Sequence, residues 1–149
     1  MKKIVIASLL TLAVTAASAL EVGMTVGRDY SGTNQNTSGM TVGQKYGKLG
    51  VTAGLERQYT GANDQNRVSL VGSYDLTKVG QVTLAPTVGV AYLNNQRRAD
   101  GYAMTVGVGA SMPVTKQLAA TVDFRRQYGQ DRVQASDGNV VTAGLKYTF

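Results

Sequence analysis

The sequence predicts an all-β protein, an eight-stranded antiparallel up-and-down transmembrane β-barrel, and three observations carry that prediction. Apolar and polar residues alternate with period two in eight separate runs, which gives each run the two unlike faces of a strand. The odd-numbered runs each extend for 11 residues, from an aliphatic residue to a tyrosine. At ~3.3 Å per residue and a tilt of ~40°, such a strand covers roughly 28 Å along a barrel axis, the height of a membrane's apolar band. Short connections also alternate with longer polar ones, the asymmetry of barrels whose turns and loops lie on opposite sides of a membrane.

The 149-residue chain begins with Lys2 and Lys3, an apolar run from Ile4 to Val14, and the small residues Ala17-Ser18-Ala19. A charged start, an apolar middle and an A-x-A end form a Sec-type signal peptide. The apolar run is shorter than the ~20 residues a spanning helix needs. The expected organisation is a signal peptide at 1–19, cleaved after Ala19, and one barrel domain at 20–149. Without Lys2 and Lys3 the 15 basic residues become 13, against 9 acidic, for a net charge of +4. These charges are dispersed rather than blocked, which gives nucleic-acid binding no support. The chain has no cysteine, so an exported domain must hold together without disulfides.

The first run, Leu20 to Tyr30, sets Leu20, Val22, Met24 and Val26 against Glu21, Gly23, Thr25, Gly27 and Asp29. The third, Leu49 to Tyr59, sets Leu49, Val51, Ala53 and Leu55 against Gly50, Thr52, Gly54 and Glu56. The fifth, Val82 to Tyr92, and the seventh, Leu118 to Tyr128, repeat the arrangement. The even runs lie near Gly39–Gly47, Asn66–Leu76, Tyr102–Met112 and Asn139–Phe149. They are followed by short connections at Lys48, Thr77-Lys78-Val79 and Pro113 to Gln117. The odd runs are followed by "SGTNQNTS", "TGANDQ", "LNNQRRADG" and "GQDRVQASDG". Six of the eight runs contain a Thr, a small aliphatic and then Gly, with "MTVG" itself at Met24–Gly27, Met40–Gly43 and Met104–Gly107. Met and Val then face outward, while Thr and Gly face a narrow interior in which glycine permits tight curvature. The seventh run has "ATVD", which places Asp123 where glycine stands elsewhere. Pro86 interrupts the fifth run. It has no N–H for the ladder, so a bulge or a missing hydrogen bond is expected there.

The chain resembles the small eight-stranded outer-membrane barrels of the OmpA/OmpX type, part of the porin-like outer-membrane β-barrel family, over the whole of 20–149. Its final "AGLKYTF" is similar to the assembly signal of that class, with Leu145, Tyr147 and Phe149 on one strand face. The resemblance implies an integral protein of the bacterial outer membrane, monomeric and inserted with the help of the barrel-assembly machinery.

Nine charged residues fall on the face opposite the aliphatics: Glu21, Asp29, Lys45, Glu56, Arg67, Asp75, Asp123, Arg125 and Lys146. In a membrane barrel that face is the lumen. Eight strands leave an interior just wide enough for side chains to fill, so a packed core of ion pairs is expected rather than an open pore. At the loop end, three odd runs finish in Arg-x-Tyr: Arg28 and Tyr30, Arg57 and Tyr59, Arg126 and Tyr128. Alternation points each Arg and Tyr outward. Tyrosine suits a membrane interface, and arginine can snorkel upward to meet the phosphates of outer-membrane lipids or lipopolysaccharide.

No catalytic, cofactor or metal site is expected. Histidine and cysteine are both absent, which removes the usual general base and the usual metal ligands. Asp29 and Glu56 near strand ends are more simply structural. Three functions remain open: a non-enzymatic envelope barrel with a plugged lumen, a minor porin-like channel, and a soluble secreted ligand-binding barrel.

Overall fold

The computed structural model describes residues 19–30, 34–59, 65–95, 100–130 and 137–149. The expected signal peptide, apart from Ala19, and the greater part of the long polar connections lie outside the described residues. Nine strands are present among those described: β1 (Leu20–Asp29), β2 (Gln35–Tyr46), β3 (Leu49–Tyr59), β4 (Gln65–Tyr74), β5 (Thr77–Val79), β6 (Val82–Asn95), β7 (Gly101–Pro113), β8 (Leu118–Gly129) and β9 (Gly138–Thr148). Each strand pairs antiparallel with its neighbours in sequence, except that β4 and β5 share β6 as a partner and so form two lengths of one stave. The pairing of β1 with β9 closes the sheet. The result is an eight-stave up-and-down barrel, as expected.

Alternation sorts the side chains between two unlike faces. In β1, Gly23 and Asp29 are buried and Glu21, Thr25 and Gly27 are partly covered, whereas Val22, Met24, Val26 and Arg28 are exposed. The register continues this pattern around the wall, with Met24 opposite Met40 on one side and Leu145 on the other. Among the described residues only Ala91, Leu93, Ala103 and Val140 are buried hydrophobics, while Asp29, Glu56, Arg67, Arg125 and eight further polar residues are buried. The barrel is therefore polar inside and apolar outside. Each large aliphatic or Met side chain gains roughly 1.5–3 kcal/mol on leaving water for an apolar medium. A bilayer offers that medium to the whole outer wall at once.

Glycine on the inner face admits a close approach between staves. A Cβ on Gly107 would stand 2.2 Å from the Phe124 carbonyl oxygen and 2.8 Å from Arg125 Cγ. A Cβ on Gly27 would stand 2.2 Å from the Val141 carbonyl oxygen. The glycine of the repeated tetrapeptide thus leaves room for the neighbouring stave's backbone and inward side chains.

Three boundaries differ from the sequence reading. The second strand starts at Gln35 rather than near Gly39, because Gln35 to Ser38 continue the ladder opposite β1 and Asn36 to Ser38 also pair with β3. Thr77 to Val79 are strand rather than turn. The chain reverses at Gly80-Gln81, between the paired Val79 and Val82, with Gly80 at φ 61°. Gly47, at φ 60°, reverses the β2–β3 hairpin in the same way, since tight hairpins need a positive φ that glycine adopts without strain. The sixth strand runs past Tyr92 to Asn95.

The irregularity expected at Pro86 is present on the neighbouring stave. Three residues, Tyr74 to Leu76, stand opposite two, Ala85 and Pro86, because the ladder stops at Ser73–Thr87 and resumes at Thr77–Leu84. This is a β-bulge, in which one extra residue locally breaks the pairing. On its other side Pro86 keeps its place opposite Val108.

Candidate functional site

The loop-end half of the interior is built around Arg67. From β4 its guanidinium donates to Asp29 Oδ2 of β1 at 2.7 Å and to Glu56 Oε2 of β3 at 2.9 Å. Glu56 uses its other oxygen, Oε1, to accept from Arg125 of β8 at 3.0 Å. Gln58 Nε2 also donates to Asp29 Oδ2. Arg67 and Asp29 are 2% and 1% exposed, so these charges are compensated by each other rather than by bulk water. The position of Arg125 matters most. In the stave order β8 lies four places from β3 in a ring of eight, so the Glu56–Arg125 pair joins diametrically opposite walls across the lumen.

Around this network the interior is filled by uncharged side chains. Leu93 on β6 and Ala103 on β7 form a small apolar cluster, and Thr105, Gln127, Val140 and Thr142 are buried nearby along the inward faces of β7 to β9. Gln58 and Gln127 are legible in principle, because each stands two residues beyond a charged inward residue, Glu56 or Arg125. Leu93 is not legible as a filler, because the alternating run reads as complete at Tyr92.

The turn-end half is different. Lys45 pairs with Asp75, and Lys146 Nζ lies 3.0 Å from Glu21 Oε2. These side chains are only partly covered. A cavity of ≈ 150 Å³ runs between them and the central network, lined by Ser, Thr, Gly and Ala residues together with Asp123. Asp123 makes no ion pair among the described residues. Gly109 stands opposite it in the ladder, and a Cβ there would lie 2.6 Å from Asp123 Oδ1. All nine charged residues expected in the lumen are therefore inward. Eight are joined in pairs or in the Arg67 network, and Asp123 stands apart.

On the outer wall the three Arg-x-Tyr endings share one geometry. The guanidinium carbon lies 5.8 Å from the ring centre in Arg28–Tyr30, 5.6 Å in Arg57–Tyr59 and 5.7 Å in Arg126–Tyr128. These are cation–π distances, worth roughly 0.5–1 kcal/mol at exposed sites. At the C-terminal end Leu145, Tyr147 and Phe149 all face outward. Tyr147 and Phe149 meet edge to face with ring centres 4.9 Å apart, and Phe149 N donates to the Leu20 carbonyl at 3.0 Å. No group of acidic residues able to hold a metal ion occurs among the described residues.

No protein-family model and no curated protein sequence matches the chain. Several solved structures match it in fold. Neisserial surface protein A is 12% identical, over 90% of this chain and 98% of its own, with a TM-score of 0.67. A major outer membrane protein from Thermus thermophilus is 14% identical, over 88% and 100%, with a TM-score of 0.62. The E. coli outer membrane protein W is 13% identical, over 91% and 100%, with a TM-score of 0.58. At these identities the likeness concerns the fold. The chain has the closed eight-stranded architecture of small outer-membrane barrels, in keeping with the OmpA/OmpX type.

Proposed function

We propose that this chain, with the fold of small outer-membrane barrels, is a monomeric, non-enzymatic integral protein of the bacterial outer membrane. Its role is structural, and its lumen is closed to solutes. The observation that carries this reading is the Glu56–Arg125 pair between opposite walls, tied through Glu56 to Arg67 and Asp29. An ion or solute moving along the axis would have to break compensated buried charges, each costing several kcal/mol to strip of its partner. The apolar outer face argues against a soluble ligand-binding barrel, which would leave Met24, Val26 and Met40 in water. The long connections then face the cell exterior and the hairpin turns the periplasm.

A porin-like channel is the second reading, favoured by the cavity of ≈ 150 Å³ in the turn-end half. Single-channel recording of the refolded protein in planar bilayers separates the two. The plugged barrel is expected to show no steady open conductance. A steady conductance that falls on neutralising Arg67 or Arg125 would establish the channel instead. Envelope fractionation tests the location independently, with the protein expected in the outer-membrane fraction.

A further inference from the structure

We propose that the outer wall of staves β8, β9, β1, β2 and β3 binds a lipid whose head group carries two or more phosphates, the chemistry of lipid A in the outer leaflet. The proposal rests on the reading of the chain as an outer-membrane barrel. It begins from where the three clamped arginines stand in the wall. Arg126, Arg28 and Arg57 belong to β8, β1 and β3, which are separated by single staves, β9 and β2. Staves lie ~4.8 Å apart, so successive arginines are about 10 Å apart measured straight across the strands.

The register places them at one height. On β9, Arg126 is opposite Asn139 and Arg28 is opposite Val141. On β2, Arg28 is opposite Asn36 and Arg57 is opposite Ser38. Each step therefore moves two residues away from the loop end over two staves, in the same sense both times. One residue per stave, ~3.3 Å against ~4.8 Å, corresponds to a tilt of ~35°, which is the tilt of barrel strands. The stagger along the strands and the tilt of the strands cancel, and the arginines form a level row at the loop end of the apolar band.

The row is one-sided. Among the described residues, β4, β6 and β7 carry no outward basic side chain near the loop end. Their share of the rim includes instead the Tyr92–Tyr102 ring pair, with centres 5.2 Å apart. Within the basic sector, Asn36 and Asn139 supply further polar groups, and Arg126 Nη1 donates to Asn139 Oδ1 at 3.4 Å. The tyrosine contact positions each guanidinium at the rim, and a guanidinium's planar fork of N–H groups suits bidentate recognition of phosphate. Below the row, the same sector presents an open apolar depression lined by Val22, Met24, Val26, Met40, Leu55 and Leu145. Positive charge above and apolar surface below are the two requirements of an anionic lipid, and a spacing of about 12 Å along the row, from two staves across and two residues along, suits two phosphates better than one.

The test uses the full chain, refolded in zwitterionic detergent and titrated with diphosphoryl lipid A, monophosphoryl lipid A, phosphatidylglycerol and inorganic phosphate. Binding is read by native mass spectrometry. Diphosphoryl lipid A is expected to bind the wild type most tightly. R28Q/R57Q/R126Q is expected to lose roughly tenfold or more in affinity through the lost charge-assisted bonds. R28K/R57K/R126K, which keeps the charge but not the fork, is expected to fall between the two. K48Q/K78Q/K116Q removes the same charge from the turn end and is expected to bind like the wild type. A heat-modifiable gel shift confirms that each variant is folded. Unchanged binding in the arginine variants would overturn the proposal, and so would an equal loss in K48Q/K78Q/K116Q, equal binding of phosphatidylglycerol, or displacement of the lipid by inorganic phosphate. Because binding is read in detergent, its failure is distinct from a failure of the location or of the plugged lumen.

Discussion

Arg67 stands between two carboxylates that have almost no contact with solvent, and this sets what its loss must do. A Met at position 67 would fill much of the space but leave Asp29 and Glu56 with less compensation. Removing one partner from a buried ion pair costs about 3–5 kcal/mol. Arg67→Met is therefore expected to lower the urea unfolding midpoint, followed by circular dichroism or gel mobility, and to lower it further than Arg125→Met. Arg125 contacts one carboxylate rather than two and its side chain is 10% exposed, against 2% for Arg67. An equal effect of the two substitutions would mean that Arg67 is not the centre of the network. The inward placement of both arginines is legible in the sequence, since a period of two is enough to assign a face. Their partners are not. Glu56 and Arg125 are 69 positions apart in sequence, and they meet only because the barrel's closure sets β3 opposite β8. Likewise, nothing in the repeated tetrapeptide shows that Asp123 stands apart from every ion pair among the described residues.

Among the elements, two kinds of glycine make different demands, and substitution separates them. Gly47 has φ 60° with nothing within 4 Å of an added Cβ, so its requirement is one of backbone conformation alone. Gly107 is limited by space, with a carbonyl oxygen and a side chain where the Cβ would be. Gly47→Asn is expected to be tolerated within about 1 kcal/mol, because asparagine visits the left-handed region at little cost. Gly107→Asn is expected to destabilise by about 1–3 kcal/mol through overpacking, or to prevent closure. Parallel urea titrations of the two variants check this, and similar losses would contradict it. The eight runs are legible because length, alternation and terminal tyrosines agree. The reversal at Gly80-Gln81 is not, because Thr77-Lys78-Val79 is too short and polar to show a period. Pro86 announces an irregularity, but not which stave bears it. The answer depends on β4 and β5 absorbing an extra residue, a property of the pairing and not of the proline's own strand.

For the molecule as a whole, the aromatic C-terminus separates assembly from stability. Phe149 is exposed on the outer wall and touches Tyr147. If it serves as an assembly signal, deleting it should sharply lower the amount of heat-modifiable barrel recovered from membranes, while the same variant refolded in detergent keeps its gel shift. Loss of both would assign Phe149 a structural role instead. The closure that brings Phe149 beside Leu20 has a mechanical meaning as well. In most proteins the two ends are where a structure begins to come apart, by fraying one residue at a time. Here the first and last strands are zipped to each other, from Glu21 with Thr148 to Asp29 with Val140, and each is also held by a second neighbour. Neither end offers a place to start peeling, so the chain has to open along a whole seam before any stave can leave.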